Sequence, residues 1–355
     1  MNLNNYLNAK NDYMIKKSYI SVIIVTWNGK QYIENLFNSL SKILNRYPNV
    51  EIVIIDNGST DGTQETIKIL IERLNLSGNV IFKCLNKNLG FMGGNNIGIM
   101  FSTGKLIFLL NQDTYLHEEA LKNIFHVFTS NPKIGAAQCL LLQYKHPHIL
   151  DSCGDEFSSL GTGIIGCFGE KYTKVSAEIG ERREIVLARG AALIIRREVL
   201  ELSKKIFGTY LPTYLVAPYY EDWFLSIFTK VSGYQLLLIP SCIVYHDSLK
   251  QIHRDPYTLY NAINIFVQFR APIFMILGTI GTITFSSIFI SKQPLKLLIC
   301  LRSLLRKLRK NIQMRYYIDI LAKQRGIQLK NLWKTKRKAT DALRWYFTFQ
   351  QLARK

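Results

Sequence analysis

Leu106-Ile-Phe-Leu-Leu110 runs directly into Asn111-Gln112-Asp113-Thr114, and the reading of this junction decides the fold. Five apolar residues after Gly104-Lys105 read as a strand buried on both faces. In open α/β sheets, ligands bind just beyond the carboxyl ends of the strands. A carboxylate placed there can hold a divalent cation, and the cation can hold a diphosphate. Asn and Asp are also ordinary turn formers, so the competing reading of the junction is a plain turn.

The same pattern recurs upstream. Ser21-Val-Ile-Ile-Val25 is an apolar strand ending at Thr26-Trp27-Asn28, and helical periodicity follows through Ile33, Leu36, Phe37 and Leu40. Glu51-Ile-Val-Ile-Ile55 ends at Asp56. Ser59-Thr60-Asp61-Gly62 then offers capping groups to a helix over residues 64–74. Val80-Ile-Phe-Lys-Cys84 is a third strand. This βαβα order predicts a mostly parallel sheet with helices on both sides. Beyond Pro132 the pattern loosens. Residues 143–185 read as loops and short strands, 187–195 as a strand broken at Arg189-Gly190-Ala191, and 221–231 as a helix. A strand over 234–239 stops at Pro240, and Ile243-Val-Tyr245 leads into His246.

In a parallel sheet, Thr26, Asn28, Asp56, the Asn88/Gly90 loop, Asn111 and Asp113 fall at one rim. The segment Asn88 to Gly98 is glycine-dense, which permits close backbone approach to a ligand and positive φ. It is not GxGxxG, and no GxxxxGK[ST] occurs, so a dinucleotide dehydrogenase or a P-loop NTPase is poorly supported. Glu221-Asp222-Trp223 opens a helix. Its carboxylates serve either as dipole partners or, in one case, as a general base, with Trp223 a sugar-stacking platform. His246 reads as a metal ligand or as an ordinary surface histidine.

Together these residues resemble the family 2 glycosyltransferases with a GT-A fold, in particular the bacterial rhamnosyltransferase-like branch. The resemblance covers roughly residues 19–265. It rests on an ordered series: Val25-Thr-Trp-Asn28, Ile55-Asp-Asn-Gly-Ser-Thr-Asp61, Asn88-Leu-Gly90-Phe with Asn95-Asn96, Leu110-Asn-Gln-Asp113, Arg189-Gly-Ala191, Tyr220-Glu-Asp-Trp223, and Gly233-Tyr234 with Val244-Tyr-His246. It implies a nucleoside-diphosphate sugar donor, bound by Thr26, Asn28, Asp56, Asn88, Gly90, Asn111, Asp113, Arg189 and Gly190. It implies a divalent cation (Mg or Mn) held by Asp113 and His246, and Asp222 as the base that deprotonates the acceptor hydroxyl, with Glu221 and Trp223 on the acceptor side. The reaction implied is a single in-line displacement that inverts the anomeric centre. The sequence departs from the family pattern at two places. Asn111 stands where the first carboxylate of a DxD motif is usual. The Tyr-rich stretch after the histidine, Tyr257 to Asn264, lacks an Arg, leaving His253, Arg254 or Arg270 to supply a positive contact to the diphosphate. A non-catalytic sugar-nucleotide-binding partner of a polysaccharide assembly complex is the alternative these departures keep open.

The net charge of +20 is uneven: residues 291–355 carry 18 Lys/Arg against 2 Asp/Glu. Residues 1–18 read as a polar lead-in without a signal peptide, 19–265 as the catalytic domain, and 266–355 as a helical membrane-association region. Residues 271–290 are uncharged, and twenty residues of helix reach about 30 Å, enough to span a bilayer or to fill a core. Leu298, Leu301, Leu305, Leu308 and Ile312 recur among Arg302, Arg306, Lys307, Arg309 and Lys310, a basic amphipathic helix suited to an anionic membrane surface. No nucleic-acid motif accompanies the charge. Taken with the resemblance, these features imply a protein, peripheral or monotopic, at the cytoplasmic face of a bacterial inner membrane, with a lipid-linked or polysaccharide acceptor in surface polysaccharide synthesis. The six cysteines show no CxxC pair and read as reduced, mostly buried thiols.

Overall fold

The computed structural model describes residues 19–47, 49–159, 163–179, 183–212, 220–247, 256–285, 294–334 and 338. The polar lead-in, Pro218-Tyr219, Ser248, His253, Arg254, residues 286–290 and the last residues of the basic tail lie outside the described set.

The first half is the expected alternation: β1 (Ile20–Thr26), α1 (Lys30–Arg46), β2 (Val50–Asp56), α2 (Thr63–Arg73), β3 (Val80–Cys84), α3 (Gly90–Phe101) and β4 (Leu106–Asn111). There follow β5 (Thr114–Leu116), α4 (Ala120–Ser130), β6 (Ile134–Gln143), β7 (Leu150–Ser152), β8 (Asp155–Phe157), β9 (Gly163–Ile165), α5 (Tyr172–Ile179), β10 (Arg183–Glu184), β11 (Ala192–Arg196), α6 (Arg197–Phe207), α7 (Glu221–Val231) and β12 (Gln235–His246). Helices α8 (Pro256–Gln268), α9 (Ile273–Phe285) and α10 (Pro294–Gln324) close the series, before a 3-10 turn at Leu329–Trp333.

The main sheet runs β10-β12-β6-β11-β4-β1-β2-β3, with β5 on β12 and β7 on β6. β4, β1, β2 and β3 are mutually parallel, as expected. β11, however, is antiparallel to both β4 and β6, and β5, β7 and β10 are antiparallel too. The sheet is therefore mixed rather than mostly parallel. Alternate residues of each strand serve opposite layers, as a period of two requires. Val22 and Ile24 pack with α1, α2 and α4 on one face. Ile23 and Val25 pack toward α3, α6 and α7 on the other.

Three sequence expectations change, and one strand, β6, has no counterpart in the sequence reading. β6, a wholly buried ten-residue strand, begins Ile-Gly-Ala-Ala and carries no run of large apolar residues at its start. β12 does not stop at Pro240; it continues to His246, with a register shift between Ile239 and Ile243 that accommodates the proline. The glycine-dense segment is largely helix α3. A Cβ on Gly94 would sit 2.6 Å from Val25 Cγ1, and one on Gly98 2.4 Å from Ile23 Cγ2, so these two glycines let the helix lie against β1. The broken strand over 187–195 is ladder only from Ala192 onward. The reduced-thiol reading also fails in part: Cys153 and Cys167 form a disulfide across the β8–β9 hairpin, Cα atoms 5.6 Å apart, because the fold brings together cysteines 14 residues apart.

The C-terminal helices are part of the same body. Phe266, Phe269, Ile318, Leu321 and Trp333 share a core with Phe157, Trp223 and Phe224, and Trp333 Nε1 donates to the Phe269 carbonyl. The uncharged stretch supplies helix α9 of 13 residues. No helix among the described residues is long and apolar enough to cross a membrane.

Candidate active site

Strand register assembles the rim. Thr26 pairs with Asp56, Asp56 with Cys84, and Val25 with Asn111, so four parallel strands end within one residue of each other. β6 and β12 end at the same edge, where Gln143 lies opposite His246. β11 starts there, Ala192 opposite Leu110, and the Asn111 amide donates to the Ala191 carbonyl.

Asp56 is fully buried and accepts four hydrogen bonds: from Thr26 Oγ1 (3.0 Å), the Ser59 amide (2.9 Å), Ser59 Oγ (2.6 Å) and Gln64 Nε2 (2.7 Å). The carboxylate knits the end of β2 to the start of α2. Asn28, at φ 45°, accepts from the Thr60 amide and so ties the β1 and β2 loops together. Asn57 performs the same task on the other side: its side chain donates to Asn88 Oδ1 (2.9 Å) and to the Gly90 carbonyl (3.0 Å) and accepts from the Leu89 amide. Gly90 has φ +74° and needs to be glycine there. Sequence reading named Thr26, Asn28, Asp56, Asn88 and Gly90 but missed Asn57, whose signal is an amide side chain at the rim next to Asp56.

Asp113 is partly exposed, its side chain 26% accessible, and its Oδ1 lies 3.5 Å from His246 Nε2. The Asp247 amide donates to the Asp113 carbonyl, which holds the two segments in place. His246 is buried, and its Nδ1 meets Asp151 Oδ2 at 2.8 Å. Burial alone would lower the His246 pKa, but the charges of Asp113 and Asp151 and the hydrogen bond to Asp151 outweigh it and push it up to about 9. Asp151, wholly buried on β7, was not found from sequence. The donor set suits a hard cation. Asn111 Oδ1 is buried and has no hydrogen-bond partner among the described residues, and it joins a carboxylate and an imidazole, types that Mg or Mn accept. Among the described residues no group of three or more His, Cys, Asp or Glu side chains stands ready to hold a metal.

Asp222, in the first turn of α7, is linked to Asn111 through the adjacent residues Gly190 and Ala191. Its Oδ2 accepts from the Gly190 amide (3.0 Å) and its Oδ1 from the Trp223 amide (2.8 Å). A Cβ on Gly190 would stand 3.3 Å from Asp222 Cβ, so residue 190 is small where the carboxylate docks. Tyr220, immediately before the helix, has φ 76°, an uncommon conformation for an aromatic residue, and it sets the angle at which α7 starts. Burial raises the Asp222 pKa, opposed by the Gly190 and Trp223 amides and by the Arg189 charge. The Arg189 amide donates to Gln138 Oε1 (2.6 Å), which anchors this loop on β6. Trp223 is 6% exposed and packs edge-on against Phe157 and Tyr220. Glu221 is 8% exposed. Trp223 is thus part of the core, while Glu221 lies in the first turn of α7. Arg270 is held by both oxygens of Asp319 on α10, at 2.7 and 2.6 Å, rather than turned to the rim.

Residues 21–148 match the family model described as Glycosyl transferase family 2. An uncharacterised glycosyltransferase of Nostoc is 32% identical over 116 residues, 33% of this chain and 34% of its own. The Staphylococcus aureus poly(ribitol-phosphate) beta-N-acetylglucosaminyltransferase TarS is 32% identical over 104 residues, 29% of this chain and 18% of its own. The structure of TarS residues 1–349 with UDP-GlcNAc superposes at a TM-score of 0.55 and 16% identity, covering 85% of this chain and 83% of that one. The Pyrobaculum calidifontis mannosyltransferase PcManGT, solved with GDP-Man and Mn2+, gives a TM-score of 0.51 at 16% identity, covering 93% and 94%. The chain spans less than half the length of the curated relatives it matches. The family match is confined to residues 21–148, and the architecture shared with these structures is a GT-A-like fold.

Proposed function

We propose that this protein is an inverting, metal-assisted glycosyltransferase. It takes a sugar from a nucleoside-diphosphate donor to a lipid-linked or polysaccharide acceptor, in bacterial surface polysaccharide synthesis. The observation that carries the reading is the convergence on Ala191. Its carbonyl takes the amide of Asn111, beside Asp113, and its neighbour Gly190 donates to Asp222. This convergence supports reading Asp222 as the base and Asp113 as the cation-binding carboxylate of one site. Asp222, with its affinity for protons raised, is suited to take the proton from an acceptor hydroxyl. The cation, when bound, stabilises the negative charge that develops on the departing diphosphate. The rim formed by Asp56, Asn57 and Asn88 receives the nucleoside end of the donor. Structures of similar fold solved with GDP-Man and Mn2+ and with UDP-GlcNAc support a nucleotide-sugar donor and a divalent cation. The resemblance to the rhamnosyltransferase-like branch makes dTDP-rhamnose the first donor to test, in a panel of nucleotide sugars scored by thermal stabilisation.

Asp222→Asn keeps the hydrogen-bonding shape and removes the base. Transfer should fall by roughly 10²- to 10⁴-fold, with donor affinity within about twofold of wild type. Unchanged turnover would remove the assigned base. The uncharged Asn111 favours one competing reading, a non-catalytic sugar-nucleotide-binding protein. Donor hydrolysis or transfer with added Mg or Mn decides between them.

A further inference from the structure

Asp151 is a buried carboxylate whose position has been arranged. β7 pairs antiparallel with β6, but Leu141 lies opposite Ser152 and Leu142 opposite Leu150. Asp151 is thus the extra residue of a β-bulge, a device that re-aims a side chain beside a site. β12 runs along β6 as well, and His246 lies opposite Gln143, one residue beyond Leu142. The bulge turns Asp151 toward that histidine, and Oδ2 meets Nδ1 at 2.8 Å. The other ring nitrogen, Nε2, stands 3.5 Å from Asp113 Oδ1, beyond the range of a good hydrogen bond. The segment carrying Asp151 is fixed from three directions. Ser152 Oγ donates to Asp155 Oδ1 (3.0 Å), Gln138 Nε2 reaches Ser152 Oγ (3.3 Å), and Cys153 is bonded to Cys167.

The geometry points to Asp151 as the positioning residue for His246: it accepts Nδ1–H, locks the ring plane, and leaves Nε2 facing Asp113 as the nitrogen available to a divalent cation. Carboxylate–histidine–metal arrangements work in this way, because the partner of the remote nitrogen decides which tautomer exists. A buried carboxylate is costly unless well paired, and the bulge spends that cost on orientation. The role assigned to the cation rests on the glycosyltransferase reading; the orientation of the ring does not.

Two measurements on the full-length protein separate these claims. In the first, 15N-labelled histidine is observed by NMR at a pH where the imidazole is neutral, with the His246 signal assigned through its loss in His246→Gln. The wild type should show the Nδ1–H tautomer, Asp151→Asn should retain it through the amide oxygen, and Asp151→Ala should lose it. A wild-type Nε2–H tautomer, or no change in Asp151→Ala, overturns the positioning role whatever the protein's activity. In the second, thermal stabilisation by UDP, GDP and dTDP is titrated with Mn2+ and again with EDTA. Asp151→Ala should weaken the Mn2+-dependent affinity by roughly 10- to 100-fold, the range typical of outer-shell partners. Affinity in EDTA should stay within twofold, and in a His246→Ala background the substitution should add less than twofold. An equal loss in EDTA, or a full additional loss without His246, marks a structural role and overturns the inference. If the wild type binds none of the three nucleotides under any condition, the glycosyltransferase reading fails, and the tautomer result still decides the role of Asp151.

Discussion

His246 places one imidazole between two carboxylates, and the consequence is a pH-dependent fold. Its pKa rises from the ordinary 6.5 to about 9, despite burial that alone would lower it. A base whose folded pKa is raised stabilises the native state fully below its ordinary value. That contribution is lost as pH climbs through the folded value. The window therefore runs from about 6.5 to about 9, and the contribution amounts to at most about 3 kcal/mol. Lys230 moves the opposite way: burial lowers it to about 8, so its effect opposes that of His246 at the alkaline end. Urea midpoints of wild type and His246→Gln, compared from pH 6 to pH 9.5, isolate the histidine. The gap between the two proteins should shrink steadily across the window, and a constant gap would contradict the ion-pair geometry.

At the scale of elements, α3 shows how glycine decides packing. Gly94 and Gly98 share one face of the helix, and a Cβ on either would enter the side chains of β1. Gly98→Ala should therefore destabilise by about 1–3 kcal/mol despite the better helix propensity of alanine. Gly281, in α9, has nothing within 4 Å, and Gly281→Ala should be neutral or stabilising by up to about 1 kcal/mol. Equal effects in chemical denaturation would refute the packing argument. These helices also mark what a sequence conceals. Leu106–Leu110 is legible because a strand buried on both faces leaves a continuous apolar run. The glycines of α3 read as a loop, since their purpose lies in β1, about 70 residues away along the chain. β6 hides behind Gly135, Ala136 and Ala137, small because neighbouring layers press on them. Pro240 splits the pattern of β12 without breaking the strand. At the rim, Asp113, Asp222 and His246 follow apolar strands or open a helix, and each carries a local signal. Asp151 carries none, since its role depends on a bulge and on a histidine 95 positions later.

The whole molecule carries its unusual surface at the C-terminal end. α9 exposes Ile273 (66%), Phe274 (56%) and Leu277 (60%), which share one side of a helix of 13 residues. That length, about 20 Å, is too short to span a bilayer but is sufficient to lie on one. On α10 the apolar residues divide. Met314, Ile318 and Leu321 turn inward, while Ile312, Tyr316 and Ile320 recur every four residues on an exposed stripe. Arg302, Arg306, Arg309 and Lys310 are exposed on the same helix. Each basic side chain near an anionic leaflet contributes about 1 kcal/mol, and apolar side chains add to it by burial among the acyl chains. We propose on this basis that the C-terminal helices dock the protein on an anionic membrane surface, where a lipid-linked acceptor would be met. Truncating residues 291–355 is a poor test, because Ile318, Leu321 and Trp333 belong to the core that also holds Trp223 and Phe224. Surface substitutions avoid that difficulty. The wild type should cosediment with phosphatidylglycerol-rich vesicles, weakly with phosphatidylcholine vesicles, and less as salt rises. Replacing Ile273, Phe274 and Leu277 by Ser should weaken binding at least tenfold while leaving the melting temperature and donor binding in place. Wild-type protein that stays in the supernatant with anionic vesicles at low salt would overturn the docking surface and leave the assignments at the rim intact.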